Sequence, residues 1–260
     1  MARYPALIML VILSVSAYAA EGTKLTVMTY NVAYGAGVDP AEQKIVERAT
    51  NNRLVGNRLD RVISVIKYVN PDIVGIQEAC SWDKNDNAVA KQVARELGMH
   101  YYLAKSGKSR FNVALFSKLP IIWARGYPDH FTRAALQAQL KLPDGRALNV
   151  FVAHFNLLRA PESHLSEVRC LARQMRLRSS NLSVMMGDAN FKYGIHKEST
   201  DALLASGFVI APPVGERIDQ IWTSRPLAGD IREGREIPAG MTGGASDHRP
   251  TVMVIGIPDK

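Results

Sequence analysis

The order of apolar and polar positions along the chain predicts strands interleaved with helices. Lys24–Tyr30 alternates and is rich in β-forming residues, which predicts a first strand. Leu54, Leu59, Val62, Ile63, Ile66 and Val69 recur at helical spacing and predict an amphipathic helix, stopped by Asn70-Pro71-Asp72. Ile73–Ile76 is a short apolar run, the pattern of a buried strand, and Ala88–Leu97 reads as a helix. Strands then crowd together at Tyr101–Ala104, Asn112–Phe116, Ile121–Arg125 and Ala135–Leu140. Pro143-Asp144-Gly145 is a hairpin turn that sends the chain back through Ala147–Ala153. Ser163–Arg178 reads as a helix, Leu182–Met186 as a buried strand, and Ile218–Thr223 and Thr251–Ile257 as further strands.

Strands outnumber helices, and helices fall between some of them. The expected class is α/β: a four-layer sandwich of two mixed β-sheets flanked by helices. No repeat, low-complexity stretch or long linker divides residues 20–260, so they are expected to form one domain.

Residues 1–19 stand outside this pattern. Arg3 gives a short positive start, residues 6–13 are an apolar run, and Ala17-Tyr18-Ala19 is a small-x-small cleavage site. These are the features of a signal peptide cut after Ala19. The run is shorter than the roughly 20 residues that span a bilayer, so export to the periplasm or beyond is expected, without stable membrane insertion.

Hydrophobic residues make up 47% of the chain and charged residues 22%, which predicts a packed core and excludes a disordered chain. The formal net charge is +8, and becomes +7 without Arg3, the one charged side chain in residues 1–19. A basic protein favours anionic partners such as nucleic acid, phospholipid headgroups or polyphosphates. Export would permit a disulfide between Cys80 and Cys170, but nothing in the sequence brings the two together.

The candidate chemistry lies where the apolar runs end. Tyr30 leads to Asn31, Ile76 to Gln77-Glu78, Ala153 to His154, and Met186 to Gly187-Asp188-Ala189-Asn190. Arg217-Ile218-Asp219 and Ser246-Asp247-His248-Arg249-Pro250 add further polar groups. Each segment alone has an ordinary reading as a turn or a strand edge. Functional groups gathered where strands leave a rigid core are, together, how such folds build a site.

The series Asn31, Glu78, His154, Asp188, Asn190, Asp219, Asp247 and His248 resembles the endonuclease/exonuclease/phosphatase family. Met28–Asn31, Pro71–Glu78, Asn112–Ser117, Gly187–Asn190, Arg217–Asp219 and Ser246–Pro250 carry the resemblance, which runs from about Leu25 to Ile257. It implies that residues 20–260 are a catalytic domain of that type. The chain departs at Ala189, where members often carry an aromatic residue, and at Gln220, where Tyr or His is common. Both positions bear on substrate contacts rather than on the chemistry.

The resemblance also implies roles. Asn31, Glu78 and Asp247 would form the metal set, with Mg²⁺ or Mn²⁺ preferred because hard oxygen ligands suit those ions. Asp188 would activate or orient water, and Asn190, on the same face of an extended segment, would hold the phosphate beside it. His248 would meet the scissile phosphate, with Asp219 fixing its tautomer. His154 would donate to a non-bridging oxygen. The expected substrate is an anionic phosphodiester. Nucleic acid is favoured because Arg169, Arg173 and Arg176 share one helix face and Lys44, Arg48, Arg53 and Arg58 follow Asn31. The alternatives are a phospholipid phosphodiesterase of the sphingomyelinase type and a binding module without catalysis. Against the lipid reading, Pro226–Gly244 is polar and has no aromatic residue with which to enter a bilayer.

Overall fold

The structure, a computed structural model, describes residues 23–259; the leader expected at residues 1–19 lies outside them. The strands are β1 (Lys24–Asn31), β2 (Ile73–Gln77), β3 (His100–Ala104), β4 (Val113–Ser117), β5 (Ile121–Gly126), β6 (Ala134–Lys141), β7 (Ala147–His154), β8 (Ser183–Asp188), β9 (Phe208–Ile210), β10 (Asp219–Ser224), β11 (Ile231–Glu236) and β12 (Thr251–Gly256). The helices are α1 (Pro40–Ala49), α2 (Leu59–Val69), α3 (Lys84–Leu97), α4 (Pro161–Arg176), α5 (Lys197–Leu204), α6 (Arg225–Ala228) and α7 (Ala239–Thr242).

Two six-stranded sheets form, in the orders β11-β12-β1-β2-β4-β3 and β5-β6-β7-β8-β10-β9. β1 and β2 are parallel, as are β7 and β8; the other pairs are antiparallel. The sheets pack face to face over a core that includes Leu25, Val27, Leu115, Leu136, Val152, Met186, Ile221 and Met253. Helices cover the outer faces. Val62, Ile63 and Ile66 of α2 pack on Met28, Tyr30 and Val74, and Val168, Leu171 and Met175 of α4 pack on Phe151, Met185 and Trp222. The four-layer expectation therefore holds. It also explains the continuous apolar runs, because the central strands are buried on both faces.

The local signals act as their chemistry dictates. Asn70 caps α2 in the left-handed region (φ 51°), a conformation Asn tolerates, and so ends that helix before Pro71. Gly187 permits the β7–β8 pairing at the site, since a Cβ there would lie 1.9 Å from the Ala153 carbonyl oxygen. Six regular elements are too short or too polar to show a clear period: α1, α5, α6, α7, the three-residue β9 and the polar edge strand β11. α1 starts instead from a cap, Asp39 accepting from Ala41 N at 2.9 Å with Pro40 in the first turn. Cys80 is buried, Cys170 is half-buried on α4, and both are free thiols. Among the described residues, no helix is long and apolar enough to cross a membrane.

Candidate active site

The parallel pairs bring the predicted strand ends to one end of the sandwich. His154 lies opposite Asp188 across β7 and β8, and Asp188 lies opposite Asp219 across β8 and β10, so three site residues form one row. Like charges directly across a ladder repel. A cationic neighbour offsets that repulsion at Asp219, where His248 Nδ1 stands 2.7 Å from Asp219 Oδ2. One ligating atom each of Asp188, Asp219 and His248 lies within 4.8 Å of the others.

Asp188 also joins the two sheets. Asn31 Nδ2, at the end of β1, donates to Asp188 Oδ2 at 3.0 Å and to Glu78 Oε1 at 3.3 Å. Glu78 is held in the left-handed region (φ 57°), an uncommon state for a residue with a side chain. Its Oε2 accepts from Tyr34 N at 2.9 Å, and its carbonyl accepts from Gly35 N at 2.7 Å. Two carboxylates therefore converge on one amide. The carboxylate oxygens of Glu78 and Asp188 suit a hard divalent cation, while the Asn31 amide turns its Nδ2 to them and its Oδ1 to Ala33 N.

The charges follow from burial and neighbours. Burial, the largest influence, pushes the Asp188 carboxyl up, yet His154 and His248 outweigh it and hold the group well below the usual carboxylate range. Burial raises Asp219 to about 6 against the pull of His248. Burial opposes charge on His248, but Asp219, Asp188 and Asp247 together raise the imidazole to about 10. Near neutral pH the pair is thus carboxylate and imidazolium.

Three expected residues sit differently from the sequence reading. His154 is fully buried and is kept below its ordinary pKa chiefly by that burial. It contacts Asp188 Oδ2 at 3.2 Å and the Arg133 guanidinium, and it presents nothing to the open cleft. Asn190 is not part of an extended segment: its φ of 52° turns the chain, its N–H donates to Asp188 Oδ1 at 2.9 Å, and its Nδ2 donates to Phe155 O at 2.9 Å. Asp247 is exposed beside His248, in a cleft of about 570 Å³ shared with Arg217, Asp219, Glu236 and Arg249. Among the described residues it makes no hydrogen bond or ion pair with Asn31 or Glu78.

Arg133 is the residue that sequence reasoning missed. It precedes β6, whose Ala134 pairs with His154, and this register sets it at the cluster. Its guanidinium lies 3.7 Å from Glu78 Oε1 and 4.8 Å over the ring of Phe111. Phe111 in turn meets Tyr34 and His154 edge-on, at centroid distances of 5.3 and 6.0 Å. Lys105, Lys108 and Arg110 are exposed on the same β3–β4 loop as Phe111.

The other basic groups correct the expectation. Because β7 and β8 are parallel, α4 runs back from the site to the start of β8. Arg169, Arg173 and Arg176 line a cleft of about 240 Å³ against α5. Arg178 meets Ser183, the first residue of β8, through a 2.9 Å hydrogen bond. The end of α4 is therefore separated from Asp188 by the length of that strand, about 17 Å at about 3.3 Å per residue. Helical periodicity gave the arginines a shared face but not its direction. Arg58 is wholly buried, whereas Lys44, Arg48 and Arg53 are exposed.

Comparison with known proteins agrees with this architecture. The sequence model of the Endonuclease/Exonuclease/phosphatase family matches residues 28–248. No curated protein matches the sequence significantly. A family protein from Bacteroides thetaiotaomicron superposes with a TM-score of 0.67 at 16% identity, over 92% of this chain and 100% of that one. An AP endonuclease from Archaeoglobus fulgidus gives 0.60 at 18% identity, over 89% and 99%. A mannosyl-6-phosphatase from Bacteroides thetaiotaomicron gives 0.64 at 17% identity, over 88% and 98%. At these identities the structural likeness carries the fold. Fold and family match together place the chain among the metal-dependent hydrolases of phosphoric esters. It belongs to the endonuclease/exonuclease/phosphatase family.

Proposed function

We propose that this chain is an exported phosphodiesterase that cuts nucleic acid. The observation that carries the reading is the convergence of Glu78, Asn31, Asp188, Asp219, His248 and Arg133 at one end of the sandwich, beside a basic rim. Glu78, Asp188 and Asn31 would hold Mg²⁺ or Mn²⁺, with Asp247 at the outer edge. The ion, when bound, supplies charge neutralisation at the phosphoryl oxygens.

The protein's own groups divide the remaining work. Asp188, kept ionised, orients the attacking water. Asp219 accepts a hydrogen bond from His248 Nδ1–H, which turns Nε2–H of the imidazolium toward the phosphate to give its proton to the leaving oxygen. Arg133 presents its guanidinium to a non-bridging oxygen, the role first expected of His154. His154 orients both Asp188 and Arg133 from below. Asn190 fixes the Asp188 carboxylate rather than the substrate.

Lys105, Lys108, Arg110 and Arg133 favour a polyanion over a small ester. A side-by-side assay of plasmid DNA, RNA, sphingomyelin liposomes and a sugar phosphate tests this. Nucleic-acid cleavage at least about tenfold faster than the others supports the nuclease reading; preference for sphingomyelin or the monoester overturns it. The export part rests on the apolar run at 6–13 and the site at Ala17–Ala19. N-terminal sequencing of the secreted protein should begin at Ala20.

A further inference from the structure

Arg58 is the largest charged side chain that the fold buries completely, and it forms no ion pair among the described residues. Burying a guanidinium in that way is costly unless its N–H groups are satisfied. Its Nη2 donates to Ala33 O at 2.7 Å, and its Nη1 donates to Ala245 O at 2.7 Å and reaches Val32 O at 3.5 Å, while its Nε finds no partner among the described residues. Its own backbone N–H donates to Ala36 O at 2.7 Å.

These acceptors belong to two separate parts of the site. On one side, Ala33 N donates to Asn31 Oδ1 at 3.0 Å and Tyr34 N donates to Glu78 Oε2 at 2.9 Å. Ala33, Tyr34 and Ala36 all lie in the left-handed region, with φ of 49°, 53° and 60°. Such residues hold that conformation only when their surroundings impose it. On the other side, Ala245 precedes Ser246, whose hydroxyl donates to Asn31 O at 2.7 Å and accepts from His248 N at 3.1 Å.

We infer that Arg58 is a positioning residue: its guanidinium fixes the Asn31–Ala36 turn against the Ala245–His248 segment, and so sets the oxygen cluster relative to His248. The inference rests on the proposed site. A lysine cannot replace it fully, because one ammonium on a flexible stem does not reproduce the planar fork that serves two carbonyls at once. The sequence hides this role, since a basic residue among Lys44, Arg48 and Arg53 reads as surface charge.

The test compares Arg58→Met, Arg58→Lys and Ile63→Ala, the last removing core volume from the same helix. All are assayed on a chromogenic phosphodiester well below their melting temperatures, with Mn²⁺ affinity measured by calorimetry and amide exchange by mass spectrometry. Arg58→Met should lower kcat about 100-fold. Mn²⁺ binding should weaken about tenfold, with KM within about threefold. Exchange should rise in both 31–37 and 244–248. Arg58→Lys should recover part of the kcat, and Ile63→Ala should lose Tm but keep wild-type kcat and Mn²⁺ affinity. A fall in Tm for Arg58→Met with kcat, Mn²⁺ affinity and the exchange of both segments unchanged would reduce Arg58 to a stability residue. If Arg58→Met does not fold, the same unchanged values in Arg58→Lys overturn the inference. A wild-type protein without metal-dependent hydrolysis removes the site assignment itself, a result distinct from either.

Discussion

His248 Nδ1 lies 2.7 Å from Asp219 Oδ2, although Asp219 opens β10 of one sheet and His248 stands 29 positions on, in the loop that leads into β12 of the other. A carboxylate only accepts, so Nδ1 carries the proton and Nε2 is left for the substrate. The two should act as a unit. Asp219→Asn and His248→Gln should each lower kcat about 100- to 1,000-fold. The double variant should lose no more than about threefold beyond the worse single one. Losses that multiply would show that the two work independently.

The same pair links stability to pH. The His248 imidazole rises from 6.5 to about 10 because Asp219, Asp188 and Asp247 outweigh the opposing effect of burial. A raised pKa contributes stability that is complete below the unfolded value and is lost as pH climbs through the folded one. The gap in unfolding free energy between wild type and His248→Gln should therefore be widest near pH 6 and narrow steadily toward pH 10. A gap that widens over that range would contradict the ion pair. Urea melts at several pH values measure it.

Asn190 separates backbone from side chain. At φ 52° glycine is at ease, while alanine is strained by about 1 kcal/mol. Asn190→Ala should melt lower than Asn190→Gly. Both should slow turnover about tenfold, because each loses the Phe155 anchor that holds the Asp188 turn. Full activity in the glycine variant would show that only the backbone conformation matters.

Basic side chains at the rim and at the far end should behave differently. If nucleic acid is the substrate, replacing Lys105, Lys108 and Arg110 with Ala should flatten the log–log salt dependence of binding, by up to about one unit per lost contact. Replacing Arg169, Arg173 and Arg176 should leave the slope unchanged, since α4 carries them away from the strand ends. The reverse outcome would move the substrate track to the α4–α5 cleft.

These variants also mark how far the sequence could be read. The apolar runs located the central strands because those strands are buried on both faces. Polar residues following the runs at Asn31, Glu78, His154 and Asp188 fell together because parallel pairing aligns strand ends. Three things depended on tertiary context. Arg133 reaches the cluster only through the β6–β7 register. Asn190 adopts a left-handed turn that a two-residue spacing cannot reveal. Arg58 and the α4 arginines are alike in composition, and only packing sends one into the interior and the others to the α4–α5 cleft. The edge strand β11 stayed illegible because an edge exposed to water has no apolar alternation to show.

Metal-dependent hydrolysis of a phosphodiester by wild type and Glu78→Gln is the most direct measurement. Glu78→Gln keeps the shape of the side chain and removes the charge that faces Asn31 and Arg133. Wild-type activity should vanish in EDTA and return with Mg²⁺ or Mn²⁺, while Glu78→Gln should bind Mn²⁺ about ten- to 100-fold more weakly. Its turnover should fall at least about 100-fold even at saturating metal. Full wild-type activity after exhaustive chelation, or a Glu78→Gln variant with unchanged metal affinity and rate, would contradict a metal-dependent site built on Glu78.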